Sequence, residues 1–105
     1  PVRTVDEVLA DPSIDGVSIA APAELHAELA LKAFAAGKHV FVEKPLALTL
    51  EDSRAMCAAA TRAGKALMVG HLLQYHPAFI RLLELVREGA IGSVRYAYSN
   101  RLSLG

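Results

Sequence analysis

The sequence predicts an α/β fold, a βαβαβα segment built on a parallel sheet and followed by one further strand. Short apolar, β-branched runs alternate with segments of helical period. The first three of those runs lack the polar alternation of a half-exposed strand, a pattern that belongs to parallel strands with helices on both faces. Helix stop signals recur at Gly37, Gly64 and Gly89, each just past an apolar helical stripe.

Taken in order, residues 5–10 read as a short helix that enters the first strand. Asp15-Gly16 leads into Val17-Ser18-Ile19-Ala20-Ala21, and Pro22 closes that strand. Ala23 to Ala36 reads as a helix, with Leu25, Leu29 and Ala33 at helical spacing and Glu28 and Lys32 as an i,i+4 pair. The second strand runs from His39 to Val42 or Glu43. Thr49-Leu50-Glu51-Asp52 matches the Ser/Thr-x-x-acid start of a helix, which passes Met56, Ala59 and Ala60 and ends at Gly64. The third strand is Ala66 to Val69. Pro77 takes a favoured first helical position, and Phe79, Leu82, Leu83 and Val86 share one side of the helix that follows. Val94, Tyr96 and Tyr98 alternate with polar or small residues, which predicts a half-exposed strand and a domain boundary near Ala90-Ile91-Gly92. The expected division is 1–92 and 93–105.

At 105 residues and 53% hydrophobic composition, the chain can build one small core. Mean hydropathy is +0.33, which excludes a disordered chain. Eleven basic residues balance eleven acidic ones, which argues against a nucleic-acid footprint. No stretch approaches the roughly 18 uncharged apolar residues of a membrane span. The single cysteine, Cys57, is expected to be a small buried hydrophobe, and its isolation fits a reducing, cytoplasmic setting. No Cys/His spacing resembles a metal site. The start at Pro1, without a Met, reads as an interior cut.

In open parallel sheets, ligands bind beyond the carboxyl ends of the strands. Three groups fall at those ends: Ala21-Pro22 with His26 shortly after, Glu43-Lys44-Pro45, and Gly70-His71 followed by Gln74, Tyr75 and His76. Parallel strands would bring them to one rim. Lys44 beside Glu43 could polarise a carbonyl or hold a hydroxyl, with Glu43 orienting a ribose or tuning the lysine; equally, the two could form a surface ion pair that ends a strand. His26 could reach a phosphate or ribose at its helix N-terminus, or be a partly exposed helix histidine. Gly70 would admit close backbone approach or merely end a strand. His76 could simply precede Pro77, and His39, at the opposite edge, reads as structural.

The blocks Ala36-Gly37-Lys38-His39-Val40, Glu43-Lys44-Pro45-Leu46-Ala47 and Met68-Val69-Gly70-His71 to Tyr75-His76-Pro77 resemble the Gfo/Idh/MocA family of NAD(P)-dependent sugar oxidoreductases. The resemblance covers nearly the whole chain and includes Asp15-Gly16-Val17, Ala21-Pro22 and His26. It implies that residues 1–92 are the second half of a Rossmann domain. Residues 93–105 would be the first strand of an α/β substrate and oligomerisation domain. It further implies that Ala21, Pro22, His26, Glu43, Lys44 and Gly70 line NAD or NADP, and that Lys44, His71, Gln74 and Tyr75 border a sugar or nucleotide-sugar substrate. Lys44 would be the catalytic residue, in a homo-oligomer. Tyr98-Ser99-Asn100-Arg101-Leu102 is similar to members that oxidise nucleotide-linked amino sugars. The chain departs from the family in lacking a G-x-G-x-x-G phosphate loop and the acid that grips the adenosine ribose. Gln74 also replaces a common arginine, and the family's downstream Asp and His would fall beyond Gly105. The chain alone is therefore expected to be inactive.

Two other classes compete. A receiver-like signalling domain would need an acidic pair after the first strand and a phosphoacceptor Asp at a later strand end, and neither Ala21 nor Gly70 provides one. A non-catalytic packing domain could use the Val94-Tyr96-Tyr98 strand as its interface.

Overall fold

The computed structural model describes residues 2–100 of the chain, which divides into two compact units, Pro1–His71 and Leu72–Gly105. In the first unit, α1 (Val5–Ala10), β1 (Gly16–Ile19), α2 (His26–Ala35), β2 (His39–Val42), α3 (Leu50–Ala63) and β3 (Leu67–Val69) follow one another. The expected α/β order is present. The helix foreseen from Ala23 begins as a 3-10 turn at Ala23–Leu25 and becomes α-helical only at His26.

The three strands form one parallel sheet in the order β1-β2-β3. Gly16 to Ile19 pair with His39 to Val42, and Val40 to Val42 pair with Leu67 to Val69. Residues in register share a face, so Val17, Ile19, Val40, Val42, Leu67 and Val69 line one side. They meet Ala30, Ala33 and Phe34 of α2 and Met56, Ala59 and Ala60 of α3. The alanines let the two helices lie close together. Met56 and Val42 are fully buried, and each contributes roughly 1.5–3 kcal/mol by leaving water.

The other face carries Ser18, Phe41 and Met68. Within this unit Ser18 and Met68 are exposed and Phe41 is half-buried. Right-handed crossovers in a sheet that grows in one direction deliver both α2 and α3 to the same side. The lack of polar alternation comes from Phe41 and Met68, which are apolar on the face opposite α2 and α3.

Local chemistry sets the element ends. Thr4 and Glu7 form a reciprocal capping box on α1, with the Thr4 amide donating to Glu7 Oε2 at 2.7 Å. Thr49 Oγ1 accepts the Asp52 amide at 3.0 Å, as the sequence predicted for α3. At the end of α2, Gly37 takes φ +71° and the Lys38 amide donates to the Ala33 carbonyl at 2.9 Å, closing a Schellman turn. Lys38 is buried, and its Nζ donates to the Asp11 carbonyl at 2.7 Å, which ties the α1–β1 connection to the start of β2. The Asp11 carboxylate accepts from the Ser13 hydroxyl, the Ser13 amide and Arg3, and these bonds hold it well below the usual carboxylate range.

Cys57 is exposed, contrary to expectation. Its neighbour Met56 takes the inward position of α3, and one residue of helix turns Cys57 away from the core.

The second unit holds a 3-10 turn, Leu72–Tyr75, and α4 (Pro77–Arg87). His76 is the N-cap of α4, its Nδ1 accepting the Ala78 amide at 3.2 Å. The strand expected over Val94 to Ser99 does not form: residues 93–100 carry no strand pairing. A strand exists only through hydrogen bonds to a neighbour, and no described segment pairs with this one. Arg101 to Gly105, including part of the Tyr98 to Leu102 motif, lie outside the described residues.

Candidate active site at the strand carboxyl ends

Beyond Ile19 the chain continues as Ala20-Ala21-Pro22, beyond Val42 as Glu43-Lys44 and beyond Val69 as Gly70-His71, and the ladder continues one step further. The Glu43 amide donates to the Ile19 carbonyl at 2.9 Å, and the Gly70 amide to the Val42 carbonyl at 2.9 Å. These two bonds bring Ala21-Pro22, Glu43-Lys44 and Gly70-His71 to one rim, as parallel strands require. The expectation of one rim is met for Ala21-Pro22, Glu43-Lys44 and Gly70-His71, while Gln74, Tyr75 and His76, expected with the third group, belong to the second unit.

Glu43 is half-buried and leans over Gly70. A Cβ on Gly70 would lie 3.0 Å from Glu43 Oε2 and 3.3 Å from both Glu43 Cδ and Phe41 Cζ. Gly70 is buried, and its φ lies outside the left-handed region. Its role is therefore space: the absent side chain lets the Glu43 carboxylate settle against the neighbouring strand exit. Glu43 Oε2 also receives the Lys44 amide at 3.3 Å.

Lys44 is exposed, and the Lys44–Pro45 peptide is cis. Among the described residues no ion pair joins Glu43 and Lys44. The reading of these two as a strand-ending salt bridge is thereby removed. A carboxylate and an ammonium stand at the rim without neutralising each other.

His26 differs from both sequence readings. It is 1% exposed, one of the most deeply buried side chains in the chain. Its Nδ1 lies 2.8 Å from the Pro45 carbonyl oxygen and its Nε2 lies 2.9 Å from the Ala21 carbonyl oxygen. With both nitrogens turned to backbone, the ring presents no free polar atom to a phosphate or ribose. Direct cofactor contact by His26 is corrected on that ground. Ala21 is half-buried and Pro22 exposed at the same rim.

His71 is exposed just past Gly70, its amide donating to the Val69 carbonyl at 2.7 Å. Gln74 and Tyr75 belong to the second unit, where both are exposed. His39, at the opposite end of β2, accepts the Ala66 amide on Nδ1 at 3.0 Å, a structural role as expected. Among the described residues no group of three or more His, Cys, Asp or Glu could hold a metal ion. No helix among them is long and apolar enough to cross a membrane.

The sequence did not reveal the partners of His26. The useful signal was the spacing of a histidine four residues after the Ala21-Pro22 pair, close enough to reach back to the Ala21 carbonyl at the strand exit. It also missed the contact of Gly70 with Glu43, which needs strand register to be seen.

Comparison with known proteins agrees with this geometry. Residues 1–71 match the model of the Gfo/Idh/MocA family, described as an oxidoreductase family with a NAD-binding Rossmann fold. The 1,5-anhydro-D-fructose reductase of Ensifer adhaerens is 45% identical over 91 residues, which is 87% of this chain and 27% of that protein. The NAD-dependent scyllo-inositol 2-dehydrogenase of Bacillus subtilis is 39% identical over 90 residues, covering 86% of this chain and 26% of that protein. Among solved structures, the 3-ketoreductase KijD10 of Actinomadura kijaniata, in complex with NADP and TDP-benzene, superposes with a TM-score of 0.81 at 35% identity. That match covers 90% of this chain and 29% of the other. The chain thus spans about a quarter of the length of the curated relatives it matches. A parallel sheet, a polar rim at its carboxyl ends and a family match over residues 1–71 together show that the chain belongs to the Gfo/Idh/MocA oxidoreductases, a family of NAD-binding Rossmann fold.

Proposed function

We propose that this chain supplies the nicotinamide side of the active site in an NAD(P)-dependent dehydrogenase or reductase acting on a CH–OH carbon of a sugar or nucleotide-linked sugar. On this reading residues 1–92 are the second half of the dinucleotide-binding domain and residues 93–105 open a substrate domain. The observation that carries the proposal is the rim itself, where among the described residues Glu43 and Lys44 form no ion pair and the Glu43 carboxylate lies against Gly70.

The residues present fit one end of a dinucleotide. Glu43 is a carboxylate acceptor suited to ribose hydroxyls, and Gly70 leaves it room to lie flat against the strand exit. Ala21 and Pro22 offer a small, apolar margin. The sequence holds no glycine-rich phosphate loop. When bound, the nicotinamide supplies or accepts the hydride. In the reducing direction the Lys44 ammonium donates a hydrogen bond to the substrate carbonyl oxygen and gives it a proton as the carbon is reduced; in the oxidising direction the neutral amine accepts the hydroxyl proton as the carbon is oxidised. His71, just past Gly70, borders the substrate. The names of the two relatives above, a sugar reductase and an inositol dehydrogenase, support a polyhydroxylated small-molecule substrate. The protein would act as a homo-oligomer in the cytoplasm, a setting that suits a single, free cysteine.

The test is the protein encoded by the complete reading frame, assayed for NAD and NADP reduction against free and nucleotide-linked sugars. Activity on at least one sugar is expected, and Lys44→Ala should lower kcat by about 10²-fold or more while largely sparing dinucleotide affinity. Unchanged kcat in that variant would reject a catalytic Lys44.

A further inference from the structure

His26 opens α2, a helix with no side-chain cap at its N-terminus, and is buried without an acidic partner among the described ion pairs. Its two nitrogens face the carbonyl oxygens of Ala21, which follows β1, and Pro45, which follows β2. Carbonyl oxygens only accept, so each bond must run from the ring to the backbone. A ring carrying one N–H fills one of the two acceptors, and a ring carrying two fills both. Bonding both strand exits at once therefore takes a ring that carries both N–H groups.

Lys44 stands between two anchored peptides. On its N-terminal side the Glu43 amide is bonded to Ile19. On its C-terminal side the Pro45 carbonyl lies 2.8 Å from His26 Nδ1 and accepts from that nitrogen when it carries a proton. Lys44 itself is exposed, and among the described residues its side chain has no hydrogen-bond partner. Its place at the rim is therefore set by these two backbone anchors, and His26 is the side chain that provides one of them. We infer that His26 is a positioning residue for Lys44, bridging the exits of β1 and β2 so that the ammonium meets the substrate hydroxyl, without touching cofactor or substrate itself. The inference rests on the dehydrogenase reading for the role of Lys44, while the bridge itself stands apart from that reading.

Two arms test it. In the protein from the complete reading frame, His26→Phe removes both donors and His26→Gln keeps one. Expected is a fall in kcat of about tenfold or more for His26→Phe, with partial recovery in His26→Gln and dinucleotide affinity changed by less than about threefold. Added to Lys44→Ala, either substitution should lower kcat no further, because a residue acting through Lys44 has nothing left to place. Independent, multiplying losses in the double variant would overturn the positioning role, as would equal losses in kcat and dinucleotide affinity. The second arm needs no turnover. In nuclear magnetic resonance spectra of the 105-residue chain, a His26 ring N–H proton should be protected from exchange. His26→Gln should shift the Lys44 and Leu46 amides more than those of α3. A freely exchanging ring, or unmoved Lys44 and Leu46 amides in the Gln variant, would overturn the bridge. Absence of any dehydrogenase activity in the parent protein would refute the proposed function and leave the second arm to decide the bridge.

Discussion

Gly70→Ala should separate two properties that usually move together. The backbone at Gly70 is outside the left-handed region, so alanine adopts it freely. Replacing glycine at a compatible position reduces the freedom of the unfolded chain and stabilises by about 0.4–1 kcal/mol. Against this, the new methyl would meet Glu43 Oε2 at 3.0 Å and Glu43 Cδ and Phe41 Cζ at 3.3 Å, so the neighbours must give by a few tenths of an ångström. Glu43 and Phe41 are both half-buried, and the flexible, charged Glu43 side chain can yield toward solvent at less cost than the apolar Phe41 ring. Net stability is expected to change by less than about 1 kcal/mol. Function should not be spared. If misplacement of about 1 Å costs about 10²-fold, a carboxylate displaced by about 0.3 Å costs roughly fourfold, and loss of its weak bond to the Lys44 amide adds to that. Urea unfolding of the chain, dinucleotide affinity and kcat/KM of the parent protein would be measured side by side. An expected result is near-constant unfolding with kcat/KM down about three- to tenfold. Wild-type kcat/KM, or a loss of function matched by a collapse in stability, would refute the claim that Gly70 serves the placement of Glu43.

Three other outcomes are expected. Met56→Ala empties a fully buried position where α3 meets the core and should cost about 2–5 kcal/mol, read from the urea midpoint; a loss below about 1 kcal/mol would contradict the packing described. Asp11 and Glu7 both have carboxyls lowered in the fold, by bonds to Ser13 and Thr4 respectively, so their stabilisation is present above the ordinary unfolded values near pH 4 and is lost as pH falls through the lowered ones. Asp11→Asn should accordingly lose less stability than wild type between pH 7 and pH 3, and parallel losses would refute the assignment. Cys57 should titrate with one equivalent of a thiol reagent without denaturant, and reactivity seen only after unfolding would place it inside the core.

The fold was largely legible because its signals are local. Period, Thr49 as an N-cap and Gly37 and Gly64 as stops depend on neighbours in sequence, and the elements form where they indicate. The rim was legible for a related reason: once three strands run parallel, residues just past each must share an edge. What escaped depends on long-range geometry. The burial of His26 depends on the path of a segment nineteen residues away. The exposure of Cys57 depends on which side of α3 meets the core. Which face of the sheet α2 and α3 cover depends on the handedness of two crossovers. The alternating Val94-Tyr96-Tyr98 pattern was read correctly as a pattern, but a pattern supplies no partner strand.

The bonds from Glu43 to Ile19 and from Gly70 to Val42 make the chemistry of the rim inseparable from the pleat of the sheet. A single residue inserted between His39 and Val42 would reverse the side to which every later position of that strand points. It would swing the Glu43 carboxylate off Gly70 while sending core valines outward. Chain length is thus frozen upstream of Lys44. Beyond the Pro45 carbonyl the constraint relaxes, and the exposed Leu48 marks where insertions and deletions can gather, just ahead of Thr49, without disturbing the acid and base at the sheet edge.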